Sequence, residues 1–135
     1  MGGPVALRLH LDPSAPLYRQ IVDGIAGAVA RGELAGGSPL PSVRELAETL
    51  GINPNTVQKA YRDLQREGLV QPRPGNGMFV HPDAARLAEV RERLIAAAIG
   101  QALSALAAYG LGPEDVVARI RAWRDGEEGQ DGRGD

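Results

Sequence analysis

Three observations predict a mainly α-helical fold, with three short helices and a small β-hairpin followed by two more helices. Apolar residues recur every three or four positions in several separate stretches, which is the helical period. The 18 glycines and 10 prolines among 135 residues imply short elements broken by frequent turns. Two short apolar runs flank Arg73-Pro74-Gly75-Asn76-Gly77, the pattern of a hairpin.

Leu17, Ile21, Ile25 and Val29 repeat one face of a first helix running to Arg31, where Gly32 ends it. Gly36, Gly37, Pro39 and Pro41 then hold the chain extended. Ser42-Val43-Arg44-Glu45 is a capping box, in which the serine hydroxyl and the glutamate each satisfy an unpaired amide. Val43, Leu46, Ala47 and Leu50 face inward on the second helix, which Gly51 stops. After the turn Gly51-Ile52-Asn53, Asn53 caps a third helix and Pro54 fits its first position, whose amide needs no partner. Val57, Ala60, Tyr61 and Leu64 are its buried stripe and Gly68 its stop.

Two short helices joined by a tight glycine turn form a helix-turn-helix. The hairpin of Leu69–Pro72 and Met78–His81 adds a wing. Pro82 and Asp83 open a long helix predicted from Ala84 to Tyr109 and broken at Gly110. A last helix is predicted from Pro113 to about Arg124, with Val116, Ile120 and Trp123 on one side. The predicted organisation is a winged helix-turn-helix over residues 1–82, a two-helix C-terminal dimerisation segment over 83–125 and a disordered tail over 126–135.

A chain of 135 residues, 43% hydrophobic and 24% charged, holds one small domain with an appendage and leaves no room for a second large ligand-binding domain. Without cysteine there is no disulfide framework, thiolate site or cysteine nucleophile. His10 and His81 belong to no ligand motif, so neither a metal nor a cofactor is expected. No nucleophile–base pair, phosphate loop or acid pair is visible, so no enzyme is expected. No basic-then-apolar leader follows Met1, which gives the expectation of a cytoplasmic protein. The uncharged stretch Leu94–Gly112 approaches the ~20 residues of a membrane span. Its alanines and glycines, with Gln101 and Ser104, fit burial between protein helices better, and no membrane partner is expected.

The formal net charge of −2 divides unevenly, +1 over residues 1–82 and −3 over 83–135. Affinity for nucleic acid therefore needs a local basic face. The second helix of a helix-turn-helix enters the major groove with its N-terminal residues near base edges. Asn55 and Thr56 hold those positions, and Gln58, Lys59, Arg62 and Arg66 lie outside the buried stripe. Amides suit adenine edges, and cations suit phosphate or guanine. Arg44 sits one turn into the second helix, where a phosphate or groove edge would pass, and the Ser42 hydroxyl can also touch phosphate. Gly75, Asn76 and Gly77 allow a tight wing tip, and the adjacent Arg73 suits a narrow minor groove. Two bland readings compete: a merely solvated helix face, and a winged helix that binds protein. The second would present an acidic or apolar face, against which Lys59, Arg62 and Arg66 argue.

The runs P-L-Y-R-Q-I, G-S-P-L-P-S-V-R-E-L-A, L-G-I-N-P-N-T-V-Q-K-A-Y-R-D-L, E-G-L-V and G-N-G-M-F-V resemble the DNA-binding domain of the GntR family of bacterial regulators. The resemblance covers Pro16 to Val80 in the family's order and spacing. The short two-helix C-terminal segment and the form N-P-N-T-V-x-K-A-Y are similar to the YtrA-type branch. The resemblance implies a winged domain that binds an operator, two last helices that dimerise, and control of nearby transporter operons. It places Arg44 at the family's DNA-contacting arginine, with Thr56 and Gly77 at recognition-helix and wing positions. Pro54 and Gln58 stand where other branches carry arginine, so those branches' base contacts do not transfer.

The functional expectation is a dimeric repressor of its own or a neighbouring transporter operon. It would bind near-palindromic double-stranded DNA with recognition helices about 34 Å apart. Leu87, Val90, Leu94, Ala98, Ile99, Leu103, Leu106, Ile120 and Trp123 would form the homodimer interface and its supporting core. A small-molecule effector near the junction of the two segments is left open.

Overall fold

The computed structural model describes residues 9–73, 75 and 77–131. Their elements are α1 (Leu17–Ala30), α2 (Val43–Leu50), α3 (Pro54–Glu67), β1 (Val70–Arg73), β2 (Gly77–Val80), α4 (Ala84–Ala107) and α5 (Pro113–Asp131). The chain divides into two compact units, one reaching Glu92 and one beginning at Arg93. The first unit thus includes the opening turns of α4, ten residues past the predicted boundary at residue 82. Val90, which is only 3% exposed, belongs to its core.

In the first unit α3 packs against α1, α2 and β1. The four-residue spacing on α1 buries Ile21, Ile25 and Val29, and the α3 stripe buries Val57, Ala60, Tyr61 and Leu64. Each large aliphatic side chain removed from water in this way contributes about 1.5–3 kcal/mol. Pro16 offers α1 no side-chain cap. Gln20 instead ties the approach to the helix, accepting from the Asp12 amide at 2.6 Å and donating to the carbonyls of Asp12 and Ala15.

Both bonds of the α2 capping box are formed: the Glu45 amide donates to Ser42 Oγ at 3.0 Å and the Ser42 amide to Glu45 Oε1 at 2.9 Å. These bonds hold the Glu45 carboxyl below the usual glutamate range. Asn53 caps α3 by accepting from the Asn55 amide at 2.8 Å. The Tyr61 hydroxyl donates to the Pro41 carbonyl at 2.7 Å, tying α3 to the segment that enters α2. Burial, then the nearby charge of Glu45, pushes this phenol above its ordinary value, so it stays a neutral donor.

The wing pairs antiparallel from Val70↔Val80 to Arg73↔Gly77. Arg73 and Gly77, predicted as turn residues, are therefore strand ends. The extended segment before α2 does more than span a gap. Pro39 bridges to Phe79, the Leu40 amide donates to the Met78 carbonyl at 2.9 Å, and the Val80 amide donates to the Ser38 carbonyl at 2.8 Å. With β2 held on both sides, β1 is the edge, where the missing amide of Pro72 is tolerated.

In the second unit α4 ends at Ala107, two residues earlier than predicted. The amides of Tyr109 and Gly110 turn back to Leu106 and Ala107, and Gly110 takes a positive φ of 85°. Asp115 caps the start of α5 by accepting from the Gly112 amide at 2.8 Å. The α5 helix continues to Asp131, past the predicted end near Arg124 and through the first part of the predicted disordered tail. An isolated glycine costs a helix only about 1 kcal/mol, and the good helix formers around Gly126 and Gly129 offset it.

The lowered Glu45 acidity gives a pH test. A carboxyl whose folded pKa is depressed stabilises above its unfolded value and loses that contribution as pH falls. Urea unfolding of Glu45→Gln is expected to show lower stability than the parent at pH 7. The gap should begin to narrow as pH falls through the ordinary glutamate value of about 4.3 and close only below the depressed value of the folded state, where the glutamate is protonated in both states.

Candidate nucleic-acid interface

The packing of α3 divides it lengthwise. With one side against α1 and α2, the other carries Asn55, Gln58, Lys59, Arg62 and Arg66, all exposed, while Thr56 is half-buried. Ser42 and Arg44 are exposed at the start of α2. Tyr61 and Asn53 take the core and cap roles expected of them. The helix-turn-helix therefore presents amides and cations on α3, with a further arginine on α2.

The cations differ in their surroundings. Lys59 Nζ lies 3.8 Å from the ring centroid of Tyr18 on α1, a cation–π contact that bends this side chain toward the first helix. Arg66 pairs with Asp63 one turn back at 3.0 Å, and both are on α3. Among the described residues, Arg44 and Arg62 have no ion-pair partner, which leaves their guanidinium groups to water or to a polyanion.

On the wing, the Arg73 guanidinium stacks on Phe79 with 4.0 Å between Cζ and the ring centroid. Arg73 and Phe79 are cross-strand diagonal neighbours, within reach for a long side chain over a ring. Gly75 and Gly77 both take positive φ, 74° and 80°, which L side chains rarely adopt and which turns the chain tightly at the tip. Asn76 lies outside the described residues.

Two supporting side chains, Tyr18 and Phe79, were not singled out from the sequence. Phe79 was within reach, because hairpin register alone sets it diagonal to Arg73. Tyr18 was not, because its meeting with Lys59 follows from how α1 packs on α3.

The residues expected at a dimer interface fall into three groups. Val90 is buried within the first unit. Leu87, Leu94, Leu103 and Leu106 are half-buried, and Ala98, Ile99, Ile120 and Trp123 are exposed. Ile95, Tyr109 and Val117 join the exposed group, which contains large apolar side chains such as Trp123 at 67% and Ile120 at 57% exposure. Within the second unit α5 does not lie along α4, and none of its side chains with described exposure is buried. Among the described residues no helix is long and apolar enough to cross a membrane, and no group of His, Asp and Glu could hold a metal ion.

Residues 17–80 match the family described as bacterial regulatory proteins, gntR family. The chain is 34% identical over 117 residues to the uncharacterized HTH-type transcriptional regulator YhcF of Bacillus subtilis, covering 87% of this chain and 97% of that one. It is 41% identical over 78 residues to the HTH-type transcriptional repressor YtrA of the same organism, covering 56% of this chain and 60% of that protein. Among solved structures it is similar to a GntR family transcriptional regulator from Listeria monocytogenes, with TM-score 0.71, 29% identity, and coverage of 83% of this chain and 98% of the other.

The Tyr18–Lys59 contact can be weighed without DNA. A double-mutant cycle on folding stability with Tyr18→Leu and Lys59→Met is expected to give a coupling of about 0.5–1 kcal/mol, the range of an exposed cation–π pair. Additive effects would show that the two side chains do not hold each other in solution.

Proposed function

We propose, given that the chain belongs to the gntR family of bacterial regulatory proteins and is a DNA-binding transcriptional regulator, that it works as a cytoplasmic homodimeric repressor of its own or a neighbouring transporter operon. The observation that carries this reading is the lengthwise division of α3. One side is fixed in the core, and the other offers Asn55, Gln58, Lys59 and Arg62 to the width of a major groove. Gln58 and Asn55 would read base edges, Arg62 and Lys59 would contact phosphate, Arg44 and Ser42 would approach the backbone from α2, and Thr56 would support the N-terminal end. Arg73, Gly75, Asn76 and Gly77 would carry the wing into the minor groove. Lys59, held over Tyr18, is better placed for the backbone beside α1 than for the groove floor.

Dimerisation through α4 and α5 is supported by a deficit. Helices in water are stabilised chiefly by burying an apolar face. Here Ile99, Ile120 and Trp123 remain exposed within one chain. A second copy would cover them, and two-fold symmetry would set two α3 helices on a near-palindromic operator. Release by a small-molecule effector belongs to the same reading, and titration calorimetry against metabolites handled by the neighbouring operon would detect it.

The test is binding to the chain's own upstream intergenic DNA over a range of salt. The affinity is expected to fall steeply, with log K changing by about −0.9 per phosphate neutralised for each unit of log salt. Arg62→Ala should weaken binding evenly across sequences and make that slope shallower by about one. Gln58→Ala should instead cost about 1–3 kcal/mol at one base pair and relax the preference there. Salt-independent affinity would point to a protein partner, and a monomer in sedimentation at working concentration would remove the paired-helix arrangement.

A further inference from the structure

Phe79 is held on both sides. Its backbone pairs with Gln71 of β1 and bridges to Pro39 on the opposite edge. The bonds of its chain neighbours, from the Leu40 amide to the Met78 carbonyl at 2.9 Å and from the Val80 amide to the Ser38 carbonyl at 2.8 Å, tie β2 to the segment that enters α2. Val80 is fully buried, so strand alternation turns the half-buried Phe79 ring to the other face, away from the core.

Arg73 shares that outer face. It stands opposite Gly77, which has no side chain to meet it, and a Cβ built there would find nothing within 4 Å among the described residues. The guanidinium lies instead on the diagonal, with Cζ 4.0 Å from the centroid of the Phe79 ring. Among the described residues Arg73 has no ion-pair partner, so the ring is what holds its cation. A guanidinium stacked on a ring through its face keeps its five N–H donors, which lie in its own plane.

From this arrangement we infer that Phe79 is a positioning residue for the wing. Its ring holds the Arg73 guanidinium at one place on the outer face, and this sets how strongly the protein favours a narrow, A·T-rich minor groove beside the site read by α3. The inference rests on the DNA-binding reading above. A narrow minor groove has an enhanced negative potential that attracts arginine, and a side chain already placed loses less freedom on entering it. Arg73, Phe79 and α3 all belong to the first unit, so the effect is independent of how two copies pair.

The experiment measures the affinity of the full chain for duplexes of its own upstream intergenic sequence in which a short A·T tract replaces G·C pairs at successive positions. The parent is expected to favour the tract at particular positions, and Arg73→Ala to lose that preference. Phe79→Leu should reduce the preference about two- to fivefold and cost nothing further in the Arg73→Ala background. Phe79→Tyr, which keeps the ring, should retain it, and Phe79→Met replaces the leucine variant if that one fails to fold. Phe79 is the one phenylalanine of the chain, so labelling with para-fluorophenylalanine gives a single fluorine resonance. Arg73→Ala should shift that resonance in the free protein.

An equal loss on every duplex, undiminished in the Arg73→Ala background, would overturn the inference, because Phe79 would then act through the fold of the wing or its own DNA contact. An unmoved fluorine resonance, an unchanged preference without the ring, or a parent indifferent to the tract would overturn it as well. A parent that binds none of these duplexes at low salt would instead overturn the underlying DNA-binding reading.

Discussion

Everything the first unit presents depends on the packing of α3 by Val57, Ala60, Tyr61 and Leu64 against α1, α2 and β1. Burying these four side chains fixes the rotation of the helix about its own axis. That rotation puts Gln58, Lys59 and Arg62 outside together. A residue inserted before Val57 would turn the stripe by about 100° and present apolar side chains where polar ones now stand.

Around this packed helix several polar groups are braced. Ser42 and Glu45 cap α2 reciprocally, Asn53 caps α3, and the Tyr61 hydroxyl ties α3 to Pro41. Two of the exposed cations lie over rings, Lys59 on Tyr18 and Arg73 on Phe79. Holding a cation in place would lower the entropy cost of any phosphate contact it makes.

What was legible in the sequence is what local chemistry decides. The capping box at Ser42, the Asn53-Pro54 start of α3, the glycine stops and the buried stripes all follow from short spacings, and the family resemblance rests on the same residues. Three features depended on tertiary contact and were not legible. Pairing of residues 38–40 with β2 needs the hairpin in place first, the Tyr18–Lys59 stack needs α1 packed on α3, and the burial of Val90 needs the start of α4 docked. The end of α5 was placed near Arg124 because the Gly- and charge-rich residues from Gly126 read as a disordered tail, whereas the helix continues to Asp131.

The two units differ in how much each buries by itself. The first encloses its apolar side chains, and the second leaves Ile99, Ile120 and Trp123 exposed within the single chain. A hydroxyl-radical footprint of the protein on its own upstream DNA bears most directly on the claim that α3 occupies a groove in each of two copies. Two protected patches related by two-fold symmetry, about 34 Å apart along one face of the duplex, are the predicted result. A single patch, or uniform cutting at saturating protein and low salt, would contradict it.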